Sequence, residues 1–211
     1  MYVRISRFKL KPEGVIAVRD GYEKDVMTPV TSAKGNRFFC VLLSTEEERV
    51  GSQVTGWDSK EDWESFSASG YEEAMKDWWW VFEERPKATF WEIKWPGKIQ
   101  FDPLASGDNP IYVRVTRFKL KPEGVATVRA NFTENIMPSV ANSKGNRFVC
   151  MLLSADDGRT GSQISAWDSK ENCDRYLEDI LPKFLGKIDW VFEEMPKATF
   201  WEIKWPLGIQ F

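Results

Sequence analysis

Apolar and polar residues alternate from the first residues of the chain. In "YVRISRFKLK" (Tyr2 to Lys11), Val3 and Ile5 alternate with Arg4 and Ser6, and the run stops at Pro12. That period of two predicts a strand. From Gly14 to Ala33 the period changes. Val15, Val18, Tyr22, Val26 and Val30 recur at steps of three and four, which predicts an amphipathic helix. Pro29 should kink or end it, with Gly35 as its C-terminal stop. "RFFCVLLS" (Arg37 to Ser44) is almost continuously apolar and reads as a central strand. A charged turn, "TEEERVG", leads into the next strand, Val50 to Asp58. Ser59 then suits the cap of a second helix, with Glu61 and Asp62 at its positive end, running to near Trp80. "KATFWEIKW" (Lys87 to Trp95) is the last strand. The order β-α-β-β-α-β is the split βαβ, ferredoxin-like unit: one antiparallel sheet with both helices on one face.

The whole pattern then recurs. Tyr2 and Tyr112, Trp57 and Trp167, and Phe101 and Phe211 all stand 110 residues apart, and about half the paired positions are identical. The chain therefore reads as repeat 1 (1–101), a Pro-, Gly- and Asp-rich linker (102–110) and repeat 2 (111–211). "WVFEERPKATFWEIKWP" (Trp80 to Pro96) returns as "WVFEEMPKATFWEIKWP" (Trp190 to Pro206) with one letter changed, Arg85 to Met195. By contrast, residues 62–79 and 172–189, the second helix, share almost nothing. In the last strand Thr89, Trp91, Ile93 and Trp95 fall on one face, expected under the helices; Phe90, Glu92 and Lys94 fall on the other. A four-stranded sheet with helices on one side leaves its second face bare. Two such sheets could cover each other, so the duplication reads as a dimer fused into one polypeptide.

Composition removes several chemistries. The 211 residues carry a net charge of −3, which disfavours generic nucleic-acid binding. No apolar run reaches the roughly 20 residues of a membrane helix, and the N-terminus has no signal-peptide pattern. Three cysteines, Cys40, Cys150 and Cys173, without CxxC spacing argue for free thiols and a reducing, cytoplasmic setting. There is no histidine, hence no imidazole base, no Ser-His-Asp triad and no His-ligated metal or heme; no metal site is expected.

At "GWDSKEDWESF" (Gly56 to Phe66) and "AWDSKENCDRY" (Ala166 to Tyr176) the chain resembles the antibiotic biosynthesis monooxygenase family, in which a Trp ends the third strand before a polar cap and the second helix. The resemblance spans both repeats. It implies an α+β fold in which two ferredoxin-like βαββαβ repeats form an intramolecular dimeric α+β barrel. Heme-degrading members share the Trp, here Trp57 and Trp167. Their heme-ligating His corresponds to Lys76 and Gly186, and their first-strand Asn to Ser6 and Thr116, so two of three parts are missing. Cofactor-independent members, which oxidise polycyclic phenols, place an amide four residues before that Trp. Gln53 and Trp57, and Gln163 and Trp167, have that spacing, roughly 13 Å along one face of a strand. The family's usual amide is Asn. An aromatic near the helix start in that branch falls at Trp63, whose twin is Cys173.

The resemblance therefore implies an oxidase of small aromatic compounds that needs no cofactor, with Gln53, Trp57, Gln163 and Trp167 as catalytic candidates. The other readings are a non-catalytic small-molecule-binding or assembly module, and a tetrapyrrole binder with a non-His ligand. Candidate ligand contacts are Arg4, Arg7, Arg114 and Arg117 on the first strands, and Trp91 and Trp201 on the last. Each has a plainer alternative: the Trp as packing, the Gln as a partner of nearby backbone, the Arg as a salt bridge. "KGNRF" (34–38 and 144–148) suits a glycine turn, and the adjacent acids Glu83-Glu84 point apart. Of Trp78-Trp79-Trp80, only Trp80 has a twin, so one of the other two is expected to face solvent or a partner. Expected partners are a small aromatic or apolar ligand and, beyond the pseudo-dimer, further copies; nucleic acid and membrane are not expected.

Overall fold

The computed structural model describes residues 1–95, 111–154 and 156–205, with side chains omitted at 95, 204 and 205. The expected linker at 102–110 lies outside the described residues. Two compact units divide the chain: residues 1–91 with the end of the last strand from Ile203, and residues 92–202.

The first unit contains β1 (Tyr2–Lys9), α1 (12–31), β2 (Asn36–Ser44), β3 (Val50–Trp57), α2 (60–75) and the first part of β4 (Lys87–Trp95), whose residues from Glu92 belong to the second. Its sheet order is β4-β1-β3-β2, continued by the end of the chain's last strand. β3 runs antiparallel to both neighbours, with Ser6 opposite Gln53 and Gln53 opposite Val41. α1 does not stop at Pro29. It widens to a π-type turn over Val18–Met27 and resumes as α-helix at Thr28–Thr31. A widened turn just before a proline relieves the clash of its ring with the preceding turn. Gly35 follows at φ +79°, the left-handed conformation a helix stop needs. Ser59 caps α2 as expected, its Oγ accepting from the Asp62 amide at 3.1 Å. α2 stops at Met75, short of Trp80, and a 3₁₀ turn at Trp79–Val81 leads on.

The second unit repeats this with β5 (Ile111–Leu120), α3 (122–141), β6 (Asn146–Ser154), β7 (Thr160–Trp167), α4 (Lys170–Asp179) and β8 (Phe192–Trp205), ordered β8-β5-β7-β6. Here the second helix breaks. α4 ends at Asp179, and a separate short helix, α5 (Pro182–Leu185), begins with the proline that interrupts it.

One expectation is reversed. The Thr-Trp-Ile-Trp face of the last strand does not lie under the helices. Phe90 packs into the helix-side core, stacked on Tyr2 at 5.6 Å, and Phe200 stacks likewise on Tyr112 at 5.8 Å. Trp91 instead shares the opposite face, where Val3, Ile5, Cys40, Leu42 and Val54 are also buried. The reason is register. The helix-facing side of β1 is Tyr2, Arg4, Ser6 and Phe8, and the strand beside it must offer that row its flat Phe90. Both faces of the sheet bury apolar residues, so the size of an aromatic residue does not say which face it takes.

The helix-side core of the first unit is unusually aromatic: Tyr22, Trp57, Trp63, Tyr71, Trp78 and Phe82 are all buried there. In the second, Phe132, Trp167, Cys173, Tyr176, Ile188 and Phe192 fill the matching volume.

Candidate functional site

The two Gln–Trp pairs occupy the helix-facing side of β3 and β7. Trp57 and Trp167 are both fully enclosed. Trp57 packs between Trp63 and Phe66, each at 5.5 Å, and Trp167 packs on Tyr176 at 5.4 Å. Their indole N–H groups donate to a hydroxyl two residues earlier, Thr55 at 2.9 Å and Ser165 at 3.0 Å. Trp91 and Trp201 use the same device with Thr89 and Thr199, each at 2.9 Å. A hydroxyl-x-Trp step on one face of a strand thus satisfies four buried indoles locally. None of these four Trp lines a cavity described below.

Gln53 and Gln163 differ. In the first unit the Gln53 amide donates to the Tyr22 hydroxyl, which in turn donates to the Met75 sulfur at 3.4 Å. Arg4, two residues before Ser6 on the same face, donates to the Tyr71 hydroxyl at 3.1 Å. Its guanidinium lies 4.7 Å from the Trp63 ring centre and 4.8 Å from that of Tyr71. Burial pushes the Tyr22 phenol well above its usual range, so it stays a neutral hydroxyl. What remains beside Gln53 is a void of ≈ 10 Å³, lined by Phe8, Leu10, Tyr22, Val41 and Phe82 among others. That is about one water's worth of space.

In the second unit the matching place is a cavity of ≈ 60 Å³. Arg114, Thr116 and Gln163 supply its polar wall; Phe118, Phe132, Phe192, Leu181 and Leu185 are among its apolar lining, with the exposed Met195 at its rim. Three substitutions between the repeats account for it. Tyr22 becomes Phe132 and Tyr71 becomes Leu181, so both phenol hydroxyls are gone. Met75 becomes Leu185, carried on the short helix that Pro182 starts. The single changed letter in the repeated phrase sits at the same place. Arg85 covers the Trp79 ring at 4.1 Å and bonds Glu72 at 2.7 Å, whereas Met195 borders the cavity.

The polar groups there are unsatisfied. Gln163 Nε2, Thr116 Oγ1 and Arg114 Nε have no hydrogen-bond partner among the described residues, and all three residues are over nine-tenths buried; Arg4 Nε and Ser6 Oγ are equally unpartnered in the first unit, so Gln163 Nε2 is the atom that distinguishes the two. Leaving such a group unpaired costs about 1–3 kcal/mol. Desolvation lowers the Arg114 pKa, with Cys173 and Tyr176 as the neighbours acting on it. Burial pushes those two up, to about 11 and about 12, so both are neutral at ordinary pH.

The remaining candidates lie elsewhere. Arg7 and Arg117 are exposed, on the other face of β1 and β5 from Arg4 and Arg114; Arg7 pairs with Glu47. Trp91 and Trp201 are buried on the face away from the helices. Trp78 is buried edge-on against Tyr22 at 5.0 Å and Trp79 is partly covered by Arg85, while the shared Trp80 and Trp190 are about half exposed. The solvent-facing member of the triplet is therefore the one both repeats keep. Heme does not fit these residues. Lys76 is exposed and bonded to Glu73, and Gly186 offers no ligand. No group of metal-ligating side chains occurs among the described residues, and no helix among them is long and apolar enough to cross a membrane.

Sequence reasoning missed Tyr22, Tyr71, Phe132, Leu181 and Leu185. Their signal was present as pairs that differ at an offset of 110, but nothing in the sequence places them around Gln53 and Gln163.

No curated protein matches the chain by sequence. The model of the family described as Antibiotic biosynthesis monooxygenase matches residues 111–179. Among solved structures, the chain is similar to a candidate monooxygenase from Fusobacterium nucleatum at TM-score 0.75 and 12% identity, covering 96% of this chain and 91% of that one. An anthrone oxidase-like protein matches at TM-score 0.66 and 16% identity, over 96% and 90%. A heme-degrading enzyme from Listeria monocytogenes matches at TM-score 0.56 and 10% identity, over 95% and 98%. Identities this low establish fold and leave chemistry to the site. The antibiotic biosynthesis monooxygenase family model thus matches within the second repeat, and the first repeat has the same βαββαβ element order, the ferredoxin-like α+β fold.

Proposed function

We propose that the chain is a cofactor-independent oxidase of a small, activated aromatic compound, with one working site, in the second repeat. The observation that carries this reading is the unpartnered, buried Gln163 Nε2 on the wall of an otherwise apolar cavity, where Gln53 Nε2 in the first repeat is bonded to Tyr22. The ring of the substrate sits among Phe118, Phe132 and Phe192, and the Gln163 amide holds its oxygen. The chain has no imidazole, and no carboxylate is among the cavity's lining residues, so proton loss rests on the substrate's own acidity. For a methylene activated by flanking rings, the overall change is CH₂ + O₂ → C=O + H₂O. One oxygen atom becomes the carbonyl and the other leaves as water.

The cavity is smaller than the roughly 150 Å³ that accepts benzene in an engineered core. A ring therefore enters by displacing the rim of Leu181, Leu185 and Met195, which stand just before a four-residue helix, at its end and at an exposed strand position. The small volume and the missing base favour a second reading, a binding module without turnover. Oxygen uptake by metal-free protein with anthrone and 1-naphthol separates the two. The oxidase reading expects protein-dependent uptake that Gln163→Leu lowers about 10- to 100-fold and Gln53→Leu leaves unchanged. Uptake insensitive to Gln163→Leu overturns the site; no uptake with either compound favours the binder.

A further inference from the structure

Resting on that reading of the second repeat's cavity, we infer that its ligand carries two oxygens on one ring, an anionic one held by Arg114 and a second held by Gln163. The class is a hydroxyaryl carboxylate or a compound of equivalent charge. The first repeat supplies the pattern. There, Arg4 and Gln53 each donate to a phenol oxygen, of Tyr71 and Tyr22 respectively, and both phenols belong to the chain's own helices. The second repeat keeps both donors, as Arg114 and Gln163, and deletes both acceptors, as Leu181 and Phe132. Arg4 Nε is unpartnered in the first repeat as well, but Arg114 lacks the phenol acceptor that Arg4 has, and Gln163 Nε2 has no partner at all among the described residues. What the first repeat fills with its own side chains, the second leaves open.

The spacing supports one small molecule reaching both. In the β5–β7 register Thr116 lies opposite Gln163 and Arg114 opposite Ser165, so Arg114 and Gln163 are diagonal neighbours on one face. Such positions stand about 7–8 Å apart, close to the span from a carboxylate to a hydroxyl across one ring. Charge decides the sign of the first group. Arg114 is buried, its nearest titratable neighbours Cys173 and Tyr176 are neutral, and no carboxylate lines the cavity. A buried cation without a counter-ion is unfavourable, and an anionic ligand removes that cost.

The test is calorimetric titration of the full chain with 4-hydroxybenzoate, benzoate and the uncharged 4-hydroxybenzamide. The expected order is 4-hydroxybenzoate tightest. Arg114→Met should weaken 4-hydroxybenzoate about 30-fold while changing 4-hydroxybenzamide less than about threefold, and Gln163→Leu should weaken 4-hydroxybenzoate more than benzoate. Arg117→Met, on the exposed face, should change none of these. In case Arg114→Met does not fold, the double variant Phe132→Tyr with Leu181→Tyr restores the first repeat's phenols. It should abolish binding of all three compounds and raise the melting temperature. Equal binding of acid and amide, binding unaffected by Arg114→Met, or binding retained in the double variant each overturns the inference. So does absence of binding by any of the three, and in that case anthrone-dependent oxygen uptake still decides the oxidase reading by itself. Conversely, charge-selective binding without oxygen uptake upholds the anion site and overturns only the oxidase.

Discussion

Two halves of one chain share a sheet, a register and a set of polar positions, yet one is packed shut and the other is not. In the first repeat, Arg4 and Gln53 end on Tyr71 and Tyr22, and the void beside them is ≈ 10 Å³. In the second, Arg114 and Gln163 face a cavity of ≈ 60 Å³. The sheet positions barely changed; the helices did. The sheet buries apolar residues on both of its faces, so substitutions at many strand positions disturb a packed layer on either side. A helix has one buried face, and its residues can be exchanged at the cost of one layer. That asymmetry accords with second helices that are nearly unrelated; nothing in the structure explains why the exposed Lys87, Glu92 and Lys94 of the last strand recur unchanged.

The comparison can be broken most directly by filling the open side. Leu181→Trp places an indole where Tyr71 stands in the first repeat, and oxygen uptake or ligand binding should fall to background, a loss of at least about 100-fold. The matching change in the other direction, Tyr71→Leu, should leave activity intact but destabilise the chain by about 2–4 kcal/mol in urea unfolding, because it leaves a cavity and strips Arg4 of its partner.

Next comes the tryptophan pair. Trp57→Phe and Trp167→Phe both remove a fully enclosed indole and orphan a hydroxyl, Thr55 or Ser165. Each should cost about 1–3 kcal/mol, and ligand affinity should change by less than about threefold, since neither lines a cavity. A selective loss of binding in Trp167→Phe would show that it acts on the site through its neighbours.

A smaller effect follows from proton linkage. The folded state holds Cys173 at about 11, against an ordinary 9.0, and Tyr176 at about 12, against 10.0, in both cases chiefly through burial. A raised pKa means that the folded state binds its proton more tightly. The stabilisation is complete below the unfolded values and is lost as pH rises from about 9 through 11 and 12. Melting temperature should decline over that range, and Cys173→Ala should flatten the first part of the decline. Removing the helix cap in Ser169→Ala should cost about 1 kcal/mol at any pH, since its Oγ accepts from the Asn172 amide at 3.2 Å.

Much of this molecule was readable from pattern. The 110-residue offset, the βαββαβ order, the Ser59 cap and the glycine stop at Gly35 are local features. Each depends on residues close in sequence, whose spacing fixes which face or which end they occupy. The Gln–Trp spacing on one strand face was local too. The side taken by Trp91 was not, because it depends on which row of β1 the neighbouring strand must meet, and both faces are apolar.

The site itself belongs to the tertiary structure. Gln163 and Gln53 have closely similar neighbours in sequence, "GSQISAW" and "GSQVTGW", so sequence gives both the same role. Only folding brings Tyr22 and Tyr71, 31 residues before and 18 after Gln53 in the chain, onto the donors of one repeat, and Phe132 and Leu181 onto those of the other. The sequence by itself determined the scaffold, because periodicity and capping act within a few residues. The tertiary structure decided which copy is open, because that depends on the fit between helices and sheet across long separations in the chain.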